Sequence, residues 1–294
     1  GADGFIGRQA ILSLLAKSYE VHAVSNVEPP EDLRLENVRW HKTNLLDAYE
    51  TAELTKNVEA SHLLHFAWFV EHGEFWSSPK NKIWVKASLD LLANFQKNGG
   101  KRVVISGTCA EYEFGIDDLL TEDSTPLKPQ TLYGQSKLEL QQKLAETDLD
   151  WAWGRIFFLY GENESPKRLV SSVIKSLLKD ELADCSHGNQ IRDFMYVGDV
   201  ADAFAAVLDS DVKGCVNIAS GKPTTIKELI LLIADMLEKP QNIRFGKVPT
   251  SKDEPERIVA SVKKLSNELK WIPSKSLSQG IEQTINWWKK QITE

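Results

Sequence analysis

In the first 160 residues, short runs of β-forming residues alternate with longer stretches of helical periodicity, and no other feature restricts the fold as much. Such alternation predicts an α/β fold, a parallel sheet with helices on both faces. Strands are expected over residues 20–25, 38–42, 61–68, 101–107 and 151–160, with helices over 6–17, 48–56, 82–98 and 132–146. After Gly161 the pattern is less regular. Helices are expected there at 169–179, 199–208, 225–237 and 278–290, and short strands at 216–219 and 243–247. The chain of 294 residues is long enough for one large or two modest cores. It divides on this reading into residues 1–160 and a smaller α/β domain over 161–294 that returns in places to the main sheet.

The chain opens with glycines at 1, 4 and 7. That spacing suits a turn whose backbone approaches a phosphate group while a helix N-terminus faces its charge. Such a turn normally follows the central strand of a doubly wound sheet. No strand precedes Gly1 in this sequence, so a short apolar segment ahead of it is expected.

Tyr133 and Lys137 lie at i and i+4 of an expected helix, which sets a phenol beside an ammonium on one face. A phenol with a pKa of about 10 transfers protons poorly near neutrality unless a cation favours its anion. Tyr-x-x-x-Lys also arises by chance, with the tyrosine half-buried and the lysine solvated. Thr108, however, ends the apolar run from Arg102, where a strand would carry its hydroxyl to the carboxyl edge of the sheet.

Together these segments resemble the extended short-chain dehydrogenase/reductases of the nucleotide-sugar epimerase/dehydratase group. The likeness runs through Gly1 to Gly7, His65-Phe66-Ala67, Ser106 to Thr108, Tyr133 to Lys137, Arg155 to Gly161, Arg192 to Phe194 and Leu269 to Pro273. It implies a Rossmann domain over 1–160 and mainly a nucleotide-sugar domain over 161–294. In such enzymes the tyrosine exchanges a proton with the sugar, the lysine tunes it and holds the nicotinamide ribose, and the hydroxyl steadies the reacting oxygen. Those roles fall to Tyr133, Lys137 and Thr108.

The same resemblance assigns the dinucleotide to Gly1, Gly4, Phe5, Ile6, Gly7 and Arg8, to Asn44 and Leu45, and to Phe66 and Ala67, together with Tyr133 and Lys137. Relatives that prefer NAD carry an acidic residue where this chain has Ser25 followed by Asn26. Without that carboxylate, and with Arg8 able to attract a 2′-phosphate, NADP(H) is expected over NAD(H). His65 is expected to be packed and hydrogen-bonded.

Arg192 matches an arginine that grips the nucleotide diphosphate, which suits a guanidinium fork; the alternative is a salt bridge with Asp193. A second family arginine is replaced by Thr250, with Lys252 or Arg257 as substitutes. Relatives that dehydrate a hexose place Asp-Glu after the threonine, where this chain has Cys109 and Ala110, with Glu111 one step on. Dehydration is therefore not expected. The aromatic stretch from Phe66 to Trp84 is expected in a core or a dimer face, with one or two rings lining the pocket. In relatives the helices here and at 132–144 build a four-helix dimer interface, so a homodimer is expected.

A net charge of −7 with scattered basic residues gives no nucleic-acid surface. Three cysteines without metal-ligand spacing suggest free thiols, a reducing compartment and no metal. No apolar stretch reaches membrane-spanning length, so a cytoplasmic protein is expected. The activity expected is reduction of a 4-keto-6-deoxy nucleotide sugar at C4, with 4-epimerisation by the same residues as the alternative and a non-enzymatic dinucleotide-binding scaffold as a third.

Overall fold

The computed structural model describes residues 1–251 and 254–293. Strands β1 (Val21–Ser25) and β2 (Val38–Lys42) form one parallel pair, and β3 (His62–His65), β4 (Arg102–Thr108), β5 (Asp150–Ile156) and β9 (Gly214–Ile218) form a parallel sheet in the order β3-β4-β5-β9. β1 and β3 do not pair with each other. Between them lies a cavity of about 400 Å³ bordered by residues of both strands, including Val21, Ala23, Leu63 and His65. A doubly wound sheet has a strand at this place. The turn that begins at Gly1 is anchored at one end of it, where Ala2 N–H donates to Val24 O at 3.1 Å.

Alternation along β4 explains the two helix layers, since successive side chains point to opposite faces. Val103 and Ile105 meet Leu92 and Phe95 of α3 (Lys80–Lys97) and Leu140 and Leu144 of α4 (Leu132–Ala145). Val104 faces the other way, onto Phe204 and Val207 of α6 (Val197–Leu208). Ile105, Leu140 and Leu144 are wholly buried, so truncating any one to alanine should cost about 2–5 kcal/mol. Helices α1 (Gly7–Ala16) and α2 (Ala48–Val58) extend the layers beside α6 and α3 respectively.

The strand expected over 151–160 is two strands. β5 stays in the main sheet, Phe157 N–H reaches Ile218 O, and β6 (Phe158–Tyr160) leaves to pair with β8 (Ile191–Tyr196) in a second sheet. β8 carries the second sheet together with β10 (Pro223–Thr225) and β12 (Arg257–Ile258). Sequence reading passed over β8 because Arg192 and Asp193 interrupt its apolar pattern; both are buried and hydrogen-bonded. Helices α5 (Leu169–Leu178), α7 (Ile226–Met236) and α9 (Leu277–Thr293) enclose the core of this part, and the short strands β7 (Ala183–Asp184) and β11 (Ile243–Arg244) pair at its rim. A five-residue helix, α8 (Lys263–Asn267), packs on β9.

Candidate active site

At the carboxyl end of β4 the chain turns through a single 3-10 turn, Cys109–Glu111. The Thr108 hydroxyl accepts from Ala110 N–H at 3.2 Å, and the Glu111 carboxylate accepts from Thr108 N–H at 2.9 Å. Glu111 has no exposed surface, and also accepts from Trp153 Nε1 at 3.0 Å and from Arg155 Nε at 2.7 Å. Arg155 in turn donates to the Tyr112 hydroxyl at 3.0 Å, and that hydroxyl donates to Asn217 Oδ1 at 2.7 Å. A carboxylate so fully occupied holds the turn in place and is not free to protonate a leaving group. Cys109 is no alternative acid, because burial pushes its thiol up to about 12.

Helix α4 reaches this turn because residue 134 is glycine; a Cβ there would strike the Ala110 carbonyl oxygen. Thr131 starts the helix by accepting from Gly134 N–H at 3.1 Å, the usual N-cap arrangement. The close approach sets the Tyr133 phenol beside the Thr108 side chain. Burial raises the phenol above its ordinary pKa; Thr108 opposes this, Glu111 and Cys109 reinforce it, and Arg168 opposes it. Two rings meet the tyrosine at nearly right angles, Phe75 at 5.0 Å and Trp76 at 5.8 Å between centroids, and Tyr133 N–H donates to Trp76 O at 3.1 Å.

The Lys137 side chain is buried, and its ammonium donates to Ser106 O at 2.8 Å. Burial brings its pKa down to about 7, with Glu111 acting against the shift. Thr108 and Ser106 therefore divide the work at this edge, one hydroxyl toward the phenol and one carbonyl toward the lysine.

The glycine turn lies against the end of β3. A Cβ at Gly1 would stand 2.8 Å from Ala67 N, and one at Gly7 would strike the Gly1 carbonyl oxygen, so both positions need glycine. Helix α1 begins directly after Phe5 and Ile6, with no side-chain cap and no acidic residue in its first turn. Arg8 N–H donates to Gly4 O and Gln9 N–H to Ile6 O, so the amides of Phe5, Ile6 and Gly7 are the ones that can meet an anion. Phe66 packs edge-on against Phe204 at 5.0 Å. Among the remaining expected cofactor residues, the buried Ser25 accepts from Val27 N–H at 3.2 Å, Asn44 Oδ1 accepts from Leu46 N–H at 3.1 Å, and Leu45 borders the cavity between β1 and β3. Arg8 donates to Asn163 Oδ1 at 2.7 Å and lies 3.4 Å from Asp32. Buried His65 bonds Ser88 Oγ at 3.0 Å, and burial takes its pKa down to about 3.

Arg192 does not pair with Asp193, the alternative weighed from the sequence. Its guanidinium donates to Glu254 Oε1 at 2.9 Å and to the carbonyl of Ile191 at 2.9 Å, and it lies 5.4 Å from the Phe158 ring centre. Neighbours in a strand point to opposite faces, so Asp193 turns away and accepts from Ser220 N–H and Oγ–H, Gly221 N–H and Ala260 N–H. Arg257 donates to Asp118 O, and Lys252 lies outside the described residues. Sequence reasoning missed Arg168, which lies over Phe75 at 5.7 Å and whose charge lowers the pKa of the Tyr133 phenol. It precedes α5 and carries no local motif. Among the described residues no three histidine, cysteine or acidic side chains gather as a metal site.

A model of the NAD dependent epimerase/dehydratase family matches residues 1–219. A UDP-glucose 4-epimerase of Rhizobium leguminosarum bv. trifolii is 27% identical, covering 99% of this chain and 96% of that protein. Among solved structures, UDP-glucose 4-epimerase of Thermotoga maritima with UDP-glucose superposes with a TM-score of 0.88 at 22% identity, covering 99% and 98% of the two chains. The Thermus thermophilus UDP-glucose 4-epimerase complex with NAD gives 0.83 at 23% identity, covering 98% and 97%.

Proposed function

Because the chain belongs to the NAD dependent epimerase/dehydratase family, we propose that it interconverts the C4 epimers of a nucleotide-diphosphate hexose while retaining its nicotinamide dinucleotide. The observation that carries this reading is the close approach of α4 to the turn after β4, which sets the Tyr133 phenol beside Thr108 while Trp153 and Arg155 occupy the neighbouring Glu111. Dehydration needs a second acid at that point. The positions after Thr108 offer a buried thiol, an alanine and a carboxylate already occupied.

The amides of Phe5, Ile6 and Gly7 and the close-packed glycine turn suit a pyrophosphate, so the residues present fit the dinucleotide, which supplies hydride transfer at C4 when bound. Tyr133 takes the proton from the C4 hydroxyl as that carbon is oxidised and returns one when it is reduced. Thr108 holds the same oxygen at both stages. The Lys137 ammonium makes the phenolate accessible by its charge. NADP(H) was expected from Ser25 and Arg8, but Arg8 is engaged by Asn163 and faces Asp32, which weakens its pull on a 2′-phosphate. We propose NAD as the working cofactor.

Arg192 is the proposed diphosphate grip, with Glu254 as the group displaced when substrate arrives; Arg168 is a second cation for the same ligand. Helices α3 and α4 lie side by side, and Ile83 on α3 is 53% exposed; this face is the proposed homodimer contact, to be tested by sedimentation. No described helix is long and apolar enough to cross a membrane.

Incubation with UDP-glucose or UDP-galactose, without added cofactor, should yield the other epimer and leave NAD on the protein. Stoichiometric consumption of NADPH with a 4-keto-6-deoxy sugar, and no epimer exchange, would make the enzyme a reductase instead.

A further inference from the structure

The aromatic stretch after β3 has a role that neither a general core nor a dimer face accounts for. Lys137 Nζ lies 3.9 Å from the centre of the Trp68 ring, well inside the range of a cation–π contact. Trp68 is itself held. Its Nε1–H donates to Asn81 Oδ1 at 2.8 Å, and Asn81, with no exposed surface, donates from Nδ2 to Phe75 O at 2.7 Å and to Ser78 O at 2.9 Å. The segment so clamped carries Phe75 and Trp76, whose rings flank Tyr133. One buried amide therefore connects the surface beneath the lysine to the walls around the tyrosine.

We propose that Trp68, braced by Asn81, is a positioning residue that holds the Lys137 ammonium beside Tyr133 through its indole face. The proposal rests on the assignment of Tyr133 and Lys137 to proton transfer. Burial opposes the charge on Lys137, and an indole face is one of few groups that can favour a cation in a dry site without adding a second titratable group. The ionisable side chains that interact with Lys137 are Glu111 in the turn after β4 and His65 at the end of β3, and Tyr133 lies one turn before it on the same helix. Glu111 favours the ammonium. His65 is neutral over the working range and does not compete.

The test is the pH dependence of kcat, with Tyr133→Phe as the reference. Activity requires the ammonium, so it falls as pH rises through the Lys137 pKa. Removing the ring lowers that pKa. Trp68→Leu should move the alkaline limb down by about one pH unit, which corresponds to about 1.4 kcal/mol. Trp68→Phe keeps a weaker aromatic face and should move it less in the same direction, and it serves alone if the leucine variant does not fold. A limb that stays in place in the folded variants, whatever happens to kcat itself, overturns the proposal while leaving the proton-transfer assignment intact. If Tyr133→Phe turns over at the wild-type rate, the assignment fails and the proposal with it.

Discussion

Glu111 accepts from Arg155 at 2.7 Å, and neither side chain is more than 1% exposed. The pair anchors the turn carrying Thr108 to the centre of the sheet, because the same carboxylate holds the Thr108 amide. Breaking a buried pair by removing one partner leaves an uncompensated charge. Glu111→Leu should therefore destabilise the fold by about 3–5 kcal/mol, measured by urea denaturation. A loss within about 0.5 kcal/mol, typical of a surface substitution, would mean that the turn is held by other contacts.

Tyr133→Phe removes only the transferable proton and leaves the ring contacts with Phe75 and Trp76 in place. Turnover should fall by a factor of about 10² or more, the scale of general acid–base catalysis, with NAD affinity close to wild type by titration. Unimpaired epimer exchange would remove Tyr133 from the mechanism.

Gly134→Ala tests how α4 reaches the Thr108 turn. The added methyl meets the Ala110 carbonyl, so helix and turn must separate, at a cost of about 1–3 kcal/mol. Alanine favours helix over glycine by about 1 kcal/mol, so net stability should change less than activity. Comparing kcat with the melting temperature separates the two effects, and a variant as active as wild type would show that the approach is not needed.

Arg192→Ala should weaken binding of UDP and of the UDP-sugar alike, by about 2 kcal/mol if the phosphate is desolvated. Glu254→Gln should act the other way and tighten UDP binding, since it removes the carboxylate that competes for the guanidinium. Calorimetric titration of both variants decides the matter. Unchanged UDP affinity in both would assign Arg192 to the stability of β8.

Glu164 supplies a pH dependence. Burial raises its carboxyl to about 7, against the bond from Ser171 and the nearby Arg168, which lower it. The folded state thus keeps the proton that the unfolded chain releases in the ordinary carboxylate range. Stability should fall as pH rises from about 4.5 to 7 through this group. Glu164→Gln keeps a hydrogen-bonding side chain and should flatten that part of the pH–stability curve; an unaltered slope would show that Glu164 titrates normally.

Alternation of short β runs and helical periods was enough to predict the parallel sheet and its two helix layers, because each element is encoded by its own neighbours. The expected ends of the helices over 132–146 and 169–179 lie within a residue of α4 and α5. Glycines at 1, 4 and 7, Thr108, and the i, i+4 relation of Tyr133 and Lys137 were legible for the same reason. Tertiary structure alone decided the partners. Arg192 meets Glu254 across 62 residues, Trp153 meets Glu111 across 42, and the Lys137 ammonium bonds a carbonyl 31 residues away. It also decided that the run over 151–160 divides between two sheets, and that the aromatic stretch after β3 turns inward onto the lysine and tyrosine. Local periodicity records which face of an element is apolar. Which distant group a buried charge or ring will meet depends on how the layers close, since desolvation makes an unpartnered charge costly wherever it is enclosed.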